Sequence, residues 1–141
     1  MTPHQAAIIA AARECLETPF RHQGRIVGRA LDCVGLGCHI LARLQLPYID
    51  QQGYPRLPFK GQLESAIAGQ PHLMEVEDGE EQPGDIFLMR FGREPQHIAI
   101  LTDTGTIIHS WEQAGKCCEH DITPEWRKRI VKTYRITERA L

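Results

Sequence analysis

No apolar run in this chain approaches the roughly 18 residues of a membrane span. Basic residues are not in excess: 16 Lys and Arg stand against 18 Asp and Glu, for a net charge of -2. A broad cationic footprint for nucleic acid is therefore excluded. The first residues, Met1-Thr2-Pro3-His4-Gln5, have no basic stretch and no long apolar segment, so no secretory signal is expected there. There is no C-x-x-C pair, no H-E-x-x-H helix and no Gly-rich phosphate loop of the usual patterns. Zinc would have to draw on Cys33, Cys38, His39, Cys117, Cys118 and His120, whose spacing is poor for it, so no metal site is expected. The five cysteines are odd in number, and Cys117 adjoins Cys118, so they do not make a complete disulfide framework. A reducing compartment of synthesis is the simpler expectation.

What is present suits one compact domain over residues 1–141, with 42% hydrophobic residues available for a core. Thr2 and Pro3 read as N-cap and first residue of a helix that carries Ile8, Ala12, Cys15 and Leu16 on one face and stops near Glu17. Residues 18–31 read as a loop. A second helix is expected from Cys33 to Leu44, with Val34, Cys38, Leu41 and Leu44 inward. The prolines and glycine of residues 47–59 predict an irregular excursion. A short helix follows over residues 62–68, closed by Gly69, and then an acidic solvated loop over residues 75–82. Five short strands are predicted at residues 85–90, 96–102, 106–110, 117–122 and 130–136. Helices first and hairpin-linked strands afterwards make an α+β fold.

The chemistry concentrates at Cys33. If Asp32 caps the second helix, Cys33 lies in its first turn, where unpaired N–H groups and the helix dipole favour a thiolate. Far downstream, His97 opens one alternating strand and His109 sits in the next. A three-residue connection, Asp103-Thr104-Gly105, would pair Thr102 with Thr106 and make His97 and His109 diagonal neighbours on one sheet face. A two-residue connection would put them on opposite faces. In the first register Cys33 would attack a carbonyl, His97 would take the thiol proton, and His109 would orient the His97 ring. His4, His39, His72 and His120 read as surface or satisfied core groups, and Cys15 and Cys38 as small core hydrophobes.

At these residues the chain resembles the NlpC/P60 family of cysteine peptidases. Thr18-Pro19-Phe20-Arg21-His22-Gln23-Gly24 is similar to the family's approach to the nucleophile, and Asp32-Cys33-Val34-Gly35-Leu36 to its D-C-S-G-L helix start. Pro83-Gly84-Asp85-Ile86 and His97-Ile98-Ala99-Ile100 are similar to its P-G-D strand and its histidine strand. A third polar residue about a dozen positions past the histidine would be His109. The resemblance spans roughly residues 5 to 136. It implies a papain-like α+β fold with N-terminal helices packed on a C-terminal antiparallel sheet. It implies a Cys-His-His endopeptidase that hydrolyses peptide bonds in peptidoglycan stem peptides, with no metal or organic cofactor. Asp32-Cys33-Val34-Gly35-Leu36 and the segment Arg90–His97 also resemble phage and prophage cell-wall peptidases. That branch implies action at the cell wall, a virion-tail location and tail proteins as partners.

Two positions depart from the family pattern. Phe20 replaces its usual Tyr and lacks the hydroxyl, leaving the Cys33 N–H with His22 or Gln23 as oxyanion donors. Val34 replaces its Ser and removes a polar contact to substrate. Asp32, Phe20, His22, Gln23 and Val34 are thus the candidate substrate or oxyanion residues. The same departures motivate a second reading, a non-catalytic phage tail or assembly component that retains the fold. A third is acyl transfer or amide hydrolysis on another substrate.

Overall fold

The computed structural model describes residues 1–58 and 60–138. The end of the predicted excursion at Phe59, and the last three positions of the 1–141 span, lie outside the described residues. Helix α1, Pro3–Arg13, starts with a reciprocal cap: the Gln5 N–H donates to Thr2 Oγ1 at 3.1 Å, and the Thr2 N–H to Gln5 Oε1 at 2.9 Å. It ends four residues before the expected Glu17. The Glu17 N–H is drawn instead to the Cys117 carbonyl, with Glu17 at φ 70°. A contact across the fold thus overrides local helix propensity.

The expected 18–31 loop contains a small hairpin of β1, Arg25–Ile26, and β2, Ala30–Leu31. Buried Thr18 shapes it by accepting the Gly28 N–H at 2.9 Å. Helix α2, Cys33–Arg43, begins where sequence analysis places it, with the Gly35 N–H donating to Asp32 Oδ1 at 2.9 Å. Cys38 and Leu41 are buried as expected, but so are Leu36 and Ile40, because α2 packs against both α1 and the sheet. Helix α3, Gln62–Ala68, ends at Gly69.

The strands are β3, Leu73–Val76; β4, Ile86–Phe91; β5, Glu94–Leu101; β6, Thr106–Trp111; β7, Lys116–Asp121; and β8, Ile130–Ile136. They form an antiparallel sheet in the order β3-β8-β4-β5-β6-β7. Strand β3 corrects the reading of residues 75–82 as loop. Val76 is buried, and Glu75 on the open side pairs with Lys132 of β8 at 3.2 Å. A short helix α4, Pro124–Arg127, capped by Thr123, was not expected.

Alternation along the strands splits the sheet into two apolar faces. Ile86, Leu88, Ile98, Ile100 and Ile108 pack with α1 and α2. Phe87, Met89, Ala99, Leu101 and Ile107 turn to the opposite face, where Trp126 of α4 covers them. His97 precedes Ala99 by two positions and His109 follows Ile107 by two, so both sit on the second face. The fold is α+β, helices against an antiparallel sheet.

Candidate active site

The β5–β6 register is the one that a three-residue connection dictates. The Thr102 N–H bonds the Thr106 carbonyl at 2.9 Å, and Leu101 pairs with Ile107 and Ile100 with Ile108. His97 Nε2 then lies 2.7 Å from His109 Nδ1. Both rings are buried, at 3% and 0% exposure. A third ring continues the chain, because His109 Nε2 lies 2.8 Å from His120 Nε2, and His120 Nδ1 lies 2.9 Å from the Asp121 carbonyl oxygen.

That carbonyl fixes the tautomers of the neutral rings, since it can only accept. His120 Nδ1 therefore carries hydrogen and its Nε2 accepts. His109 donates through Nε2 and accepts at Nδ1. His97 donates through Nε2 and keeps a lone pair at Nδ1. Aromatic side chains hold the rings in place. Phe91 stacks on His97 at 5.1 Å between centroids, Trp111 stacks on His109 at 5.6 Å, and Trp126 meets His109 edge-on at 4.9 Å. Sequence analysis set His120 aside. Its strand spacing carries no motif, and only the pairing of β6 with β7 brings it to His109.

Burial, reinforced by His109 and then Arg129, holds the His97 imidazolium well below the usual histidine range. Burial, with the neighbouring His120, pushes His109 down to about 3. The Cys33 thiol is half-buried at the start of α2. Backbone N–H groups of Ile98, Val34 and Cys33 itself favour the thiolate, and α2 packs against β5, which sets the thiol near the backbone of the residue after His97. Sequence analysis expected the helix terminus to favour a thiolate. Burial first, and then the Asp32 charge, outweigh these donors and push the thiol up to about 12. At rest the Cys33 thiol and the His97 imidazole are therefore each neutral.

Asp32 is spoken for by the protein. Besides Gly35 it accepts the Gln23 N–H at 2.8 Å, Arg25 Nη1 at 3.0 Å and the Tyr54 hydroxyl. Tyr54 comes from the excursion and found no place in the sequence reading. Arg25 Nη2 also donates to its hydroxyl, at 2.9 Å. His22 Nε2 and Gln23 Nε2 meet the Tyr54 carbonyl at 2.9 and 3.0 Å, so their side chains pin the excursion. Phe20 bridges to Leu31 and donates its N–H to the Gly115 carbonyl. Val34 and Ile98 line an apolar cavity of about 490 Å³ between α2, α3 and the excursion, with Leu41, Tyr48, Leu63 and Ile67. Close packing joins the two motif blocks: a Cβ on Gly35 would sit 2.1 Å from the Gly24 carbonyl oxygen. Asp85 of the third block is buried and accepts Arg135 Nε and Nη2, both at 2.9 Å, which ties β4 to β8.

The NlpC/P60 family pattern matches residues 17–135. The chain belongs to the NlpC/P60 family. No curated protein matches it. Among solved structures it is similar to the NlpC/p60 domain of the peptidoglycan hydrolase SagA, with 21% identity, TM-score 0.62, and coverage of 92% of this chain and 96% of that one. It is similar to the peptidoglycan hydrolase RipB from Mycobacterium tuberculosis, with 17% identity and TM-score 0.67 over 96% of this chain, and spans 65% of that chain. It is also similar to RipD from Mycobacterium tuberculosis, described as a non-catalytic NlpC/p60 domain protein adapted to peptidoglycan binding. That likeness has 14% identity and TM-score 0.61, over 96% of this chain and 98% of that one. At these identities the likeness is one of fold. The family thus holds both hydrolases and a non-catalytic member.

Proposed function

We propose that this NlpC/P60 protein is a thiol hydrolase of peptide bonds in peptidoglycan stem peptides. The carrying observation is the neutral relay that leaves a lone pair on His97 Nδ1 while Cys33 sits beside the same strand. His97 Nδ1 takes the Cys33 proton as sulfur attacks the stem-peptide carbonyl, since both groups are neutral at rest. The tetrahedral oxyanion forms at the N-terminus of α2, where the Cys33 N–H is a donor. His97 then protonates the leaving amine, and water hydrolyses the thioester by the same base. His109 holds the ring and its tautomer, and His120 acts through His109 as a positioning residue.

Val34 beside the apolar cavity suits an apolar substrate portion where the family Ser would suit a polar one. A tail-borne location and tail-protein partners rest on the resemblance of Asp32–Leu36 and Arg90–His97 alone. The second reading is a non-catalytic peptidoglycan-binding role, favoured by the description of RipD. Incubation of the protein and Cys33→Ala with muropeptides of several chemotypes, followed by mass spectrometry, separates the two. Cleavage by the wild type alone supports the hydrolase; binding without cleavage by either supports the second reading.

A further inference from the structure

Strand β7 alternates so that Cys118 and His120 share a face, and its register sets Cys118 opposite His109. One ligand atom each from His109, Cys118 and His120 lies within 4.8 Å of the others. Two imidazoles and a sulfur are a soft set that suits a tetrahedral ion of the Zn²⁺ class and disfavours Mg²⁺ or Ca²⁺. Ligand atoms around tetrahedral zinc lie about 3.3–3.8 Å apart. The 2.8 Å between His109 and His120 therefore opens by only about half an ångström. The outer shell is already built. His120 Nδ1 is anchored on the Asp121 carbonyl and His109 Nδ1 on His97, as the far nitrogens of metal-binding histidines are. Trp126 stands 4.9 and 5.3 Å from the two rings and forms an apolar wall. Strand β7 ends the sheet, and Cys118 and His120 are partly exposed, which leaves the site a way in from solvent, the source of a fourth ligand.

We propose that His109, Cys118 and His120 bind a soft tetrahedral divalent cation, and that its binding switches the histidine relay off. Binding releases the Cys118 thiol proton to solvent. The cation takes the His109 Nε2 lone pair, and the proton on that nitrogen leaves to solvent. The His97 Nε2 proton passes across the 2.7 Å bond to His109 Nδ1. His97 takes a proton from solvent at Nδ1, so one proton is released overall. The lone pair that would accept the Cys33 proton is gone. The metal site stands by itself; only its effect on turnover rests on the hydrolase reading above.

The test uses full-length Cys33→Ala protein, which removes the other partly exposed thiol as a competing ligand and needs no activity. Titration with Zn²⁺ alone should show one bound equivalent by calorimetry. Co²⁺ should give thiolate-to-metal absorption. Affinity should fall about tenfold or more on adding Cys118→Ser, and likewise on adding His120→Asn. Circular dichroism identifies any variant that fails to fold, and the other then decides. Ring-nitrogen NMR should show His97 changing from the Nε2–H to the Nδ1–H form on Zn²⁺ addition. Absence of binding, or equal binding in the folded variants, overturns the site. Binding with no change at His97 overturns the switch. If metal-free wild type cleaves no muropeptide, the hydrolase reading fails while these binding and NMR readouts still stand or fall separately.

Discussion

His109 Nε2 lies 2.8 Å from His120 Nε2, and this bond passes the constraint of the Asp121 carbonyl inward to His97. Losing the His120 ring frees His109 to adopt the other tautomer. In His120→Ala, kcat should fall about ten- to a hundredfold with KM little changed. His120→Gln should restore much of the loss, because the Gln amide oxygen can accept from His109 Nε2. Steady-state kinetics on a muropeptide checks this; equal kcat in wild type and His120→Ala would remove His120 from the account.

Acid should weaken the fold before it protonates any ordinary carboxylate. An unfolded imidazole titrates near 6.5, whereas burial depresses His97 well below that and His109 to about 3. The charged or titratable neighbours behind these shifts are Arg129 and His109 for His97, and His120 for His109. The folded-state values are lowered, so below pH 6.5 the unfolded chain binds protons that the folded chain refuses. The stabilisation is complete above pH 6.5 and is lost as pH falls. Each ring contributes a slope of up to about 1.4 kcal/mol per pH unit. Glu14, held down to about 2 by Arg43 and His39, and Glu119, lowered by Arg13, add theirs only below the ordinary carboxylate range. Urea unfolding at pH 7 and pH 5.5 should show the drop, and His109→Gln should reduce it. A flat profile would contradict the buried neutral rings.

Gly35→Ala should be among the most damaging small changes. Its Cβ would lie 2.1 Å from the Gly24 carbonyl oxygen, a backbone atom that cannot turn aside. Moving the loop off α2 should cost about 1–3 kcal/mol. Thermal unfolding measures this, and a midpoint equal to wild type would show that the two blocks do not need that contact.

Tyr54→Phe removes the hydroxyl shared by Asp32 and Arg25. Loss of this bond to a buried carboxylate should cost about 1.5–3 kcal/mol. Amide exchange over residues 47–58 should rise, while His97 and His109 keep their ring contact. Unchanged exchange there would mean that His22 and Gln23 hold the excursion without help.

Much of this was legible because it is local. Asp32 caps α2 through its own third neighbour, and the three residues Asp103 to Gly105 set the register that joins His97 to His109. What escaped depends on distant pairing. Cys118 and His120 join His109 only because β6 pairs with β7 in one register. Tyr54 reaches Asp32 from a segment without regular structure, so no periodicity announces it. The fate of the Cys33 thiol also escaped, since the dipole and the Val34 and Cys33 N–H groups are local, whereas the burial that outweighs them belongs to the whole fold.

The most direct measurement is digestion of a defined muropeptide in heavy-oxygen water by wild type, Cys33→Ala and His97→Ala, read by mass spectrometry. The account predicts one heavy oxygen in the new carboxylate of the wild-type product, and intact substrate with either variant. Undiminished cleavage by Cys33→Ala would contradict the thiol mechanism.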